Sequence, residues 1–277
     1  MLKLTRELFT MNPSDATYFD FYERALINHM LGQQNPTTDH GHITYFTSLN
    51  PGGHRGLGPA WGGGTWSTDY DSHWCCQGTG IETNTKMQDS IYFFDDSGLY
   101  INLFTPSRLN WKARSVMIEQ STTFPVSDTT TIKVTGTGTW AIKVRIPSWT
   151  SGATVAVNGA TQSINTTPGT YATLSRTWTS GDVVTVTLPM KLRVIPANDN
   201  KSVAALAFGP SVLCGNYGSS TLSAHPKLDL TSIKRSSASG LLFTGTADGK
   251  TVNIGPFYEA QGFNYAVYWA ISGSLPN

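Results

Sequence analysis

The chain has 277 residues, of which 39% are hydrophobic and only 13% charged, and its formal net charge is +1. This balance excludes the strongly basic surface that attracts nucleic acids or anionic membranes, and no apolar run is long enough to span a bilayer. The chain is rich in aromatic residues, with 8 Trp, 11 Tyr and 12 Phe, which is typical of β-sandwich proteins and of proteins that bind neutral ligands such as sugars.

The first part of the chain is predicted to be helical, from Leu2 to about Leu31. After a turn at residues 12–14, apolar side chains recur at spacings of three and four, which predicts one buried face. That face consists of Tyr18, Phe21, Tyr22, Ala25, Leu26 and Met30. The charged start MLKLTRELF is unlike a signal peptide and predicts a helix that has already begun. We therefore expect the chain to be the C-terminal part of a longer protein.

A long loop, rich in Gly, Pro, Asn and His, is predicted from Gly32 to His73, and loops of this length usually build a functional surface. A short helix is predicted from Thr79 to Ser90, with Thr79 as its cap. The stretch IYFFDDSGLYINLF then predicts a hairpin that turns at Asp95-Asp96-Ser97-Gly98.

From that hairpin to the end, apolar and polar residues alternate, and turn signals recur about every 8–12 residues, as in β-sandwiches. The sequence thus predicts a mixed, mostly β fold in three parts. A helical part covers residues 1–96, a first β-sandwich 97–196 and a second β-sandwich 197–277.

Two of the three cysteines, Cys75 and Cys76, are adjacent in the stretch SHWCCQGTG. The alternatives are a vicinal disulfide, two buried thiols, two metal ligands, or a catalytic thiol beside a helper. Zinc would deprotonate thiols whose ordinary pKa is about 8.5, but a four-coordinate ion needs two further ligands. His73 and Glu82 are candidates for these two ligands. The alternative for His73 is a hydrogen-bonding role in the loop, and the alternative for Glu82 is a favourable charge at the start of the next helix. Cys214 lies in an apolar run, which predicts a buried small side chain.

Other residues of the loop have alternative interpretations. Asp69 and Asp71 suggest a glycosidase carboxylate pair, but neighbouring aspartates in a polar loop are usually turn formers. Trp61, Trp66 and Trp74 would suit a platform for stacking a sugar ring, or would simply anchor the loop.

Nine strings spread over almost the whole chain resemble, in the same order, glycoside hydrolase family 127, the β-L-arabinofuranosidase family, and its close relative family 146. They are MLKLTRELF, YFDFYERALINHML, HITYFTSLNPG, HWCCQGTGIE, DSIYFFDDSGLYINLFTPSRLNWK, IPSWTSGATVAVNG, TLPMKLRVIPA, LAFGP and YAVYW. The resemblance implies an (α/α)6 catalytic barrel followed by two β-sandwich domains. Residues 1–96 would then be the C-terminal remnant of the barrel.

The resemblance also implies a retaining, exo-acting enzyme with a cysteine thiolate nucleophile. Its zinc ion is held by three cysteines and a glutamate, and a separate glutamate is the general acid/base. Cys75 falls on the nucleophile, which is also a zinc ligand, Cys76 on a second zinc ligand, and Tyr45 on a tyrosine of the arabinose pocket. The third cysteine and both glutamates lie upstream of the helix that matches MLKLTRELF, so we expect this chain to lack them.

The implied substrate is an oligosaccharide or glycoconjugate that contains L-arabinofuranose, with no nucleic acid or membrane as partner. The missing N-terminal part of the same protein is a further candidate partner, and the full-length protein is expected to be secreted, although this chain shows no signal peptide. One alternative is a non-catalytic carbohydrate-binding or structural β-sandwich module, which would bind sugar without turnover. A zinc-binding thiol protein without glycosidase activity is another.

Overall fold

The chain is mainly β, with its helices in the first third. The computed structural model describes residues 1–37, 40–56, 65–72, 74–236 and 240–276. The helices are α1 (Leu2–Met11), α2 (Thr17–Ala25), a π-helical turn (Leu26–Met30) and α3 (Cys75–Lys86), with 3-10 turns at Lys112–Arg114 and Phe257–Glu259. None of the helices in these ranges is long and apolar enough to cross a membrane. The mostly β class predicted from the sequence is confirmed.

The strands follow one another from residue 92 to residue 272. They are β1 (Tyr92–Asp95), β2 (Gly98–Ile101), β3 (Ser107–Trp111), β4 (Val116–Thr122), β5 (Thr129–Thr135), β6 (Gly138–Ile146), β7 (Thr154–Val157), β8 (Ala160–Thr161), β9 (Thr170–Trp178), β10 (Val183–Thr187), β11 (Leu192–Pro196), β12 (Val203–Phe208), β13 (Ser211–Asn216), β14 (Lys227–Arg235), β15 (Phe243–Ala247), β16 (Lys250–Pro256), β17 (Tyr265–Ala266) and β18 (Tyr268–Ser272).

The predicted N-terminal helical segment is confirmed as α1, α2 and the π-helical turn, but the predicted buried face is only partly right, since it includes the buried Tyr22 and also the exposed Phe21. Phe9, Phe19 and Tyr22 are buried, whereas Phe21 is 45% exposed. The ring of Phe9 makes edge contacts with Phe19 and Phe93, at centroid distances of 5.0 and 4.7 Å. Aromatic residues lie on two neighbouring faces of α2. The face that carries Phe19 packs against Phe93 of β1 and is buried, whereas the face that carries Phe21 is exposed.

Residues Met1–Glu23 and Lys86–Met190 form one compact unit. Its strands make a four-stranded sheet, in the order β1-β2-β6-β9, and a six-stranded sheet, in the order β3-β4-β5-β10-β7-β8. Buried side chains of both sheets, such as Ile142 and Val184, belong to one hydrophobic core. The assignment of this region to a β-sandwich, and of the helices before it to a barrel remnant, stays a prediction.

An ionic cluster is buried in this first unit. The side chain of Arg145 in β6 is fully buried and forms ion pairs with Asp20, at 2.8 Å, and with the buried Glu23, both of which lie in α2. The Nε of Arg145 also donates to the backbone oxygen of Asn102, at 2.7 Å, and the indole N–H of Trp149 donates to Glu23, at 2.7 Å. The buried guanidinium thus has compensating acceptors, as a buried charge requires.

Residues Arg24–Thr85 and Lys191–Asn277 form the second unit. Its strands make one eight-stranded sheet in the order β11-β12-β18-β14-β15-β16-β13-β17, and β12 also pairs with β13. The six strands from β12 round to β13 therefore close into a ring. The β-sandwich predicted over 197–277 is replaced by this single closed sheet, because alternation predicts strands but not how a sheet closes. The predicted boundaries near residues 96 and 196 stay predictions.

The segment that precedes α3 is fixed to this closed sheet by side chains. The amide of Asn28 donates to the backbone oxygen of Pro210, at 2.9 Å, and its Oδ1 accepts from the backbone N–H of Val212, at 2.6 Å. The hydroxyl of Tyr265 donates to the backbone oxygen of Ser48, at 2.7 Å. These bonds position the stretch that carries Tyr45.

Candidate active site

Cys75 and Cys76 occupy the first turn of α3. The predicted helix start at Thr79 is wrong, because the backbone N–H of Gln77 already donates to the oxygen of Trp74, at 3.2 Å. The N–H groups of a first helical turn have no acceptor within the helix, and the positive end of the helix dipole lies there. Such a position favours the thiolate form of a cysteine.

The two cysteines are free thiols whose Sγ atoms lie 3.9 Å apart, so the vicinal disulfide is wrong. Cys75 is exposed and Cys76 is half-buried, so the interpretation as two buried thiols is wrong as well. Two thiolates on one tetrahedral zinc ion, each about 2.3 Å from it, lie about 3.8 Å apart. The observed separation therefore fits two ligands of one zinc ion.

The hydroxyl of Tyr45 lies 3.7 Å from the Sγ of Cys75. This hydrogen bond, together with that to Cys76, lowers the pKa of the Cys75 thiol, whereas burial raises the pKa of the Cys76 thiol. The contact with Cys75 also raises the pKa of Tyr45 to about 12, so the phenol stays protonated and donates. Cys75 is thus the more acidic thiol and the better nucleophile of the two at neutral pH.

A cavity of about 160 Å³ opens beside these residues. Its lining includes Tyr45 and Cys76, together with Gln33, Phe46 and Thr79. It is smaller than the roughly 300–1,000 Å³ typical of sites for drug-sized ligands, and it suits a single small ring.

Comparison with known proteins identifies the family. Residues 1–89 match the model of the catalytic domain of GH127 β-L-arabinofuranosidases, and residues 98–190 match the model of their middle domain. The two matches together cover more than half of the chain. The chain belongs to glycoside hydrolase family 127. Cys75, Cys76 and Tyr45 all lie within the stretch that matches the catalytic domain.

Solved structures share the fold of this family 127 chain. One, described as a glycoside hydrolase, superposes with a TM-score of 0.80 at 21% sequence identity. The superposition covers 98% of this chain and 51% of the other chain. A GH127 β-L-arabinofuranosidase from Geobacillus stearothermophilus T6 gives 0.77 at 20% identity, with coverages of 98% and 48%. A GH127 β-arabinofuranosidase gives 0.75 at 23% identity, with coverages of 99% and 49%. The chain spans about half the length of these structures. No curated protein matches the sequence.

The two further candidates for zinc ligands stay predictions. Glu82 lies in α3 seven residues after Cys75, which is about 10 Å along the helix axis. His73 lies outside the described residues. Within the part of the chain that the structure describes, no third His, Cys, Asp or Glu forms a close group with Cys75 and Cys76.

Cys214 is a buried core residue of the family 127 chain, as predicted. It lies in β13, is 2% exposed, and packs in a cluster with Phe257 and Tyr265. Burial raises the pKa of its thiol to about 12. Cys214 is therefore a neutral thiol at physiological pH and serves as an internal control for Cys75 and Cys76.

Asp69 has partners that the sequence analysis did not predict. Its Oδ1 lies 2.5 Å from Nδ1 of His40 and 2.8 Å from Nε2 of His42. Asp71 instead belongs to a turn, in which its backbone N–H donates to the hydroxyl of Thr68, at 3.1 Å. The His-x-His spacing in the stretch DHGHI is the sequence signal that could have identified His40 and His42 as a pair of potential ligands. Trp61 lies outside the described residues, and sugar stacking by the other loop tryptophans stays a prediction.

Proposed function

We propose that this chain carries the nucleophile of a retaining, exo-acting β-L-arabinofuranosidase, and that the nucleophile is the thiolate of Cys75. One observation carries the proposal. The Cys75 thiol lies at a helix start, 3.7 Å from the hydroxyl of Tyr45, and its Sγ is separated from that of Cys76 by a distance that suits one zinc ion. Family membership supplies the class of substrate.

The proposed reaction has two displacements at the anomeric carbon. The Cys75 thiolate attacks this carbon, so that a C–S bond forms while the glycosidic C–O bond breaks and the leaving oxygen takes a proton from a general acid. Water then attacks the same carbon and gives a proton to the conjugate base of that acid, the C–S bond breaks, and the thiolate is restored. Two inversions give net retention, as in the other retaining glycosidases.

Zinc, when bound by Cys75 and Cys76, would keep both thiols deprotonated at neutral pH. The Tyr45 hydroxyl donates a hydrogen bond to the Cys75 thiolate and so orients the sulfur lone pair that attacks the sugar. Because Tyr45 also lines the cavity, we propose that it contacts the arabinose ring. The ring occupies the cavity beside Cys76, with its anomeric carbon directed at Cys75.

The complete site needs two more zinc ligands and a general acid/base. We propose that a cysteine and two glutamates supply these groups from a segment of the full-length protein that this sequence does not contain. The full-length protein would then have the complete (α/α)6 barrel, of which residues 1–96 are the last part. We further propose that it is secreted and acts on oligosaccharides or glycoconjugates that end in L-arabinofuranose.

An aryl arabinoside tests the proposal on this chain alone. Para-nitrophenolate is a good leaving group and departs without a general acid, so para-nitrophenyl β-L-arabinofuranoside needs only the nucleophile in the first step. With zinc present we expect a burst of para-nitrophenol from the first displacement. The Cys75→Ser variant should lower its rate at least about a thousandfold, because the first displacement loses its nucleophile.

Cys214→Ser is the matched control, since it removes a thiol that is buried in the core. Its rate should stay within about twofold of the unaltered chain. An equal rate in the Cys75→Ser variant would overturn the proposal. Sugar binding that survives Cys75→Ser, without any turnover by the unaltered chain, would instead support a non-catalytic carbohydrate-binding module.

A further inference from the structure

Three potential metal ligands meet in the loop region before α3, apart from the cysteine pair. His40 Nδ1 and His42 Nε2 both face one oxygen of Asp69, at 2.5 and 2.8 Å. One ligand atom of each of the three residues lies within 4.8 Å of the other two. Across the described ranges, this is the one group of three or more His, Cys, Asp or Glu side chains that is so close.

The backbone, and not the side chains alone, brings these residues together. The N–H of Ile43 donates to the hydroxyl of Ser67, at 2.9 Å, and the N–H of Ser67 donates to the oxygen of Ile43, at 2.8 Å. The backbone oxygen of His42 accepts from the N–H of Asn35, at 2.7 Å. The segment that carries His42 is thus held beside the segment that carries Asp69.

Two imidazole nitrogens and one carboxylate oxygen are a ligand set that divalent transition metals prefer. We propose that His40, His42 and Asp69 form a site for a divalent transition metal ion such as zinc, separate from the site at Cys75 and Cys76. Three protein ligands leave at least one coordination position open to water.

The side chains need only a small movement to accept the ion. On a tetrahedral zinc ion, a nitrogen and an oxygen each about 2.0–2.1 Å from the metal lie about 3.3 Å apart. The two nitrogen–oxygen distances at Asp69 must therefore open by less than about 1 Å, and the two histidine nitrogens, which lie within 4.8 Å of each other, must reach the same spacing. His40 has a side chain that is 63% exposed and is free to rotate by this amount, while His42, at 23%, is fixed more firmly.

The ion would join the two segments that form the candidate active site. His42 precedes Tyr45 by three residues on one segment, and Asp69 precedes Cys75 by six residues on the other. A metal that links His42 to Asp69 therefore helps to keep the Tyr45 hydroxyl close to the Cys75 thiol. This site does not rest on the proposed glycosidase function, because it needs no cysteine.

Cobalt titration of a variant without the thiol pair tests the inference. In the Cys75→Ser/Cys76→Ser chain, stripped with a chelator, we expect one cobalt ion per chain, with visible absorption and no thiolate charge-transfer band. Adding His42→Ala or Asp69→Asn should weaken cobalt binding by more than about a hundredfold, because even the loss of an outer-shell partner of a metal site costs about 10–100-fold. The exposed His40→Ala is a third variant with little risk to folding.

Asp71→Asn and His225→Ala are the matched controls, since each removes a residue of the same type outside the cluster, and both should bind cobalt as before. In the double-serine background, cobalt should also slow amide hydrogen exchange around residues 40–47 and 66–72, and Asp69→Asn should abolish this effect. The absence of saturable cobalt binding in that background, or binding that His42→Ala and Asp69→Asn leave unchanged, would overturn the inference. The glycosidase proposal is unaffected by either result.

Discussion

The hydroxyl of Tyr45 lies 3.7 Å from the Sγ of Cys75, across thirty residues of chain, and both groups belong to the same compact unit. A phenol donates to a thiolate better than to a thiol, so this contact favours the thiolate form of Cys75. The helix start at Cys75 acts in the same direction. The pair is therefore arranged to keep one thiol of three ready to react.

We expect Tyr45→Phe to move the alkylation of Cys75 to higher pH. The phenol lowers the pKa of this thiol, and its loss raises the pKa, so the midpoint of the rate–pH profile should increase. The measurement is the rate of iodoacetamide labelling of Cys75 against pH, in protein freed of metal by a chelator. Tyr70→Phe, in the same loop and 83% exposed, is the control and should leave the midpoint unchanged. An unchanged midpoint in Tyr45→Phe would show that the hydrogen bond does not tune the thiol.

We expect Glu23→Gln to lower the free energy of unfolding by about 3 kcal/mol, because it leaves the buried guanidinium of Arg145 without one of its two carboxylates. Urea denaturation measures the change. Glu119→Gln removes an exposed ion pair with Arg108 and should cost less than about 1 kcal/mol. Equal decreases in the free energy of unfolding in the two variants would show that the buried ion pair contributes no more to stability than the exposed one.

We expect the chain to lose stability in acid partly through Asp95. Partial burial alone would raise the pKa of this carboxyl, but the hydroxyls of Ser97 and Tyr100 and the ammonium of Lys143 outweigh it and hold the pKa far below the usual range. A lowered folded-state pKa gives stability that is present above the unfolded-state pKa of about 3.9 and disappears as the pH falls through the folded-state value.

The Asp95→Asn variant should therefore be less stable than the unaltered chain at pH 7, and the difference should shrink steadily below about pH 4. Urea denaturation at a series of pH values gives this comparison. A difference that stays constant down to the acid limit would mean that the carboxylate charge does not contribute. Asp96→Asn is the control, because the carboxyl of Asp96 lies outside the network of side-chain hydrogen bonds around Asp95.

Local sequence signals predicted much of the fold. The β1–β2 hairpin pairs Asp95 with Gly98, because the Asp-Asp-Ser-Gly stretch between two apolar runs specifies a turn. The buried state of Cys214 also followed from its apolar neighbours. The adjacent thiols were visible in the sequence, but the roles given to them and to Tyr45 came from family resemblance, because no periodicity in the sequence relates two residues that are thirty positions apart.

Features that depend on tertiary contacts were not predictable. The choice of Phe19 over Phe21 as the buried ring depends on Phe93, which lies far along the chain. Closure of the second sheet depends on the pairing of β12 with β13, and alternation alone does not encode it. The meeting of His42 with Asp69 depends on backbone pairing between two loop segments without regular secondary structure.

We propose that Cys75 forms a covalent bond to the sugar, and mass spectrometry of the trapped intermediate is the decisive experiment. The chain, supplied with zinc, is mixed with para-nitrophenyl β-L-arabinofuranoside, quenched in acid and digested. On the proposal that the general base belongs to a segment outside this chain, the second displacement is slow and we expect the intermediate to accumulate. The predicted result is a single pentosyl adduct on the sulfur of Cys75, which is absent from Cys75→Ser and unchanged in Cys214→Ser. Para-nitrophenol release without an adduct on Cys75, or an adduct that persists in Cys75→Ser, would contradict the claim.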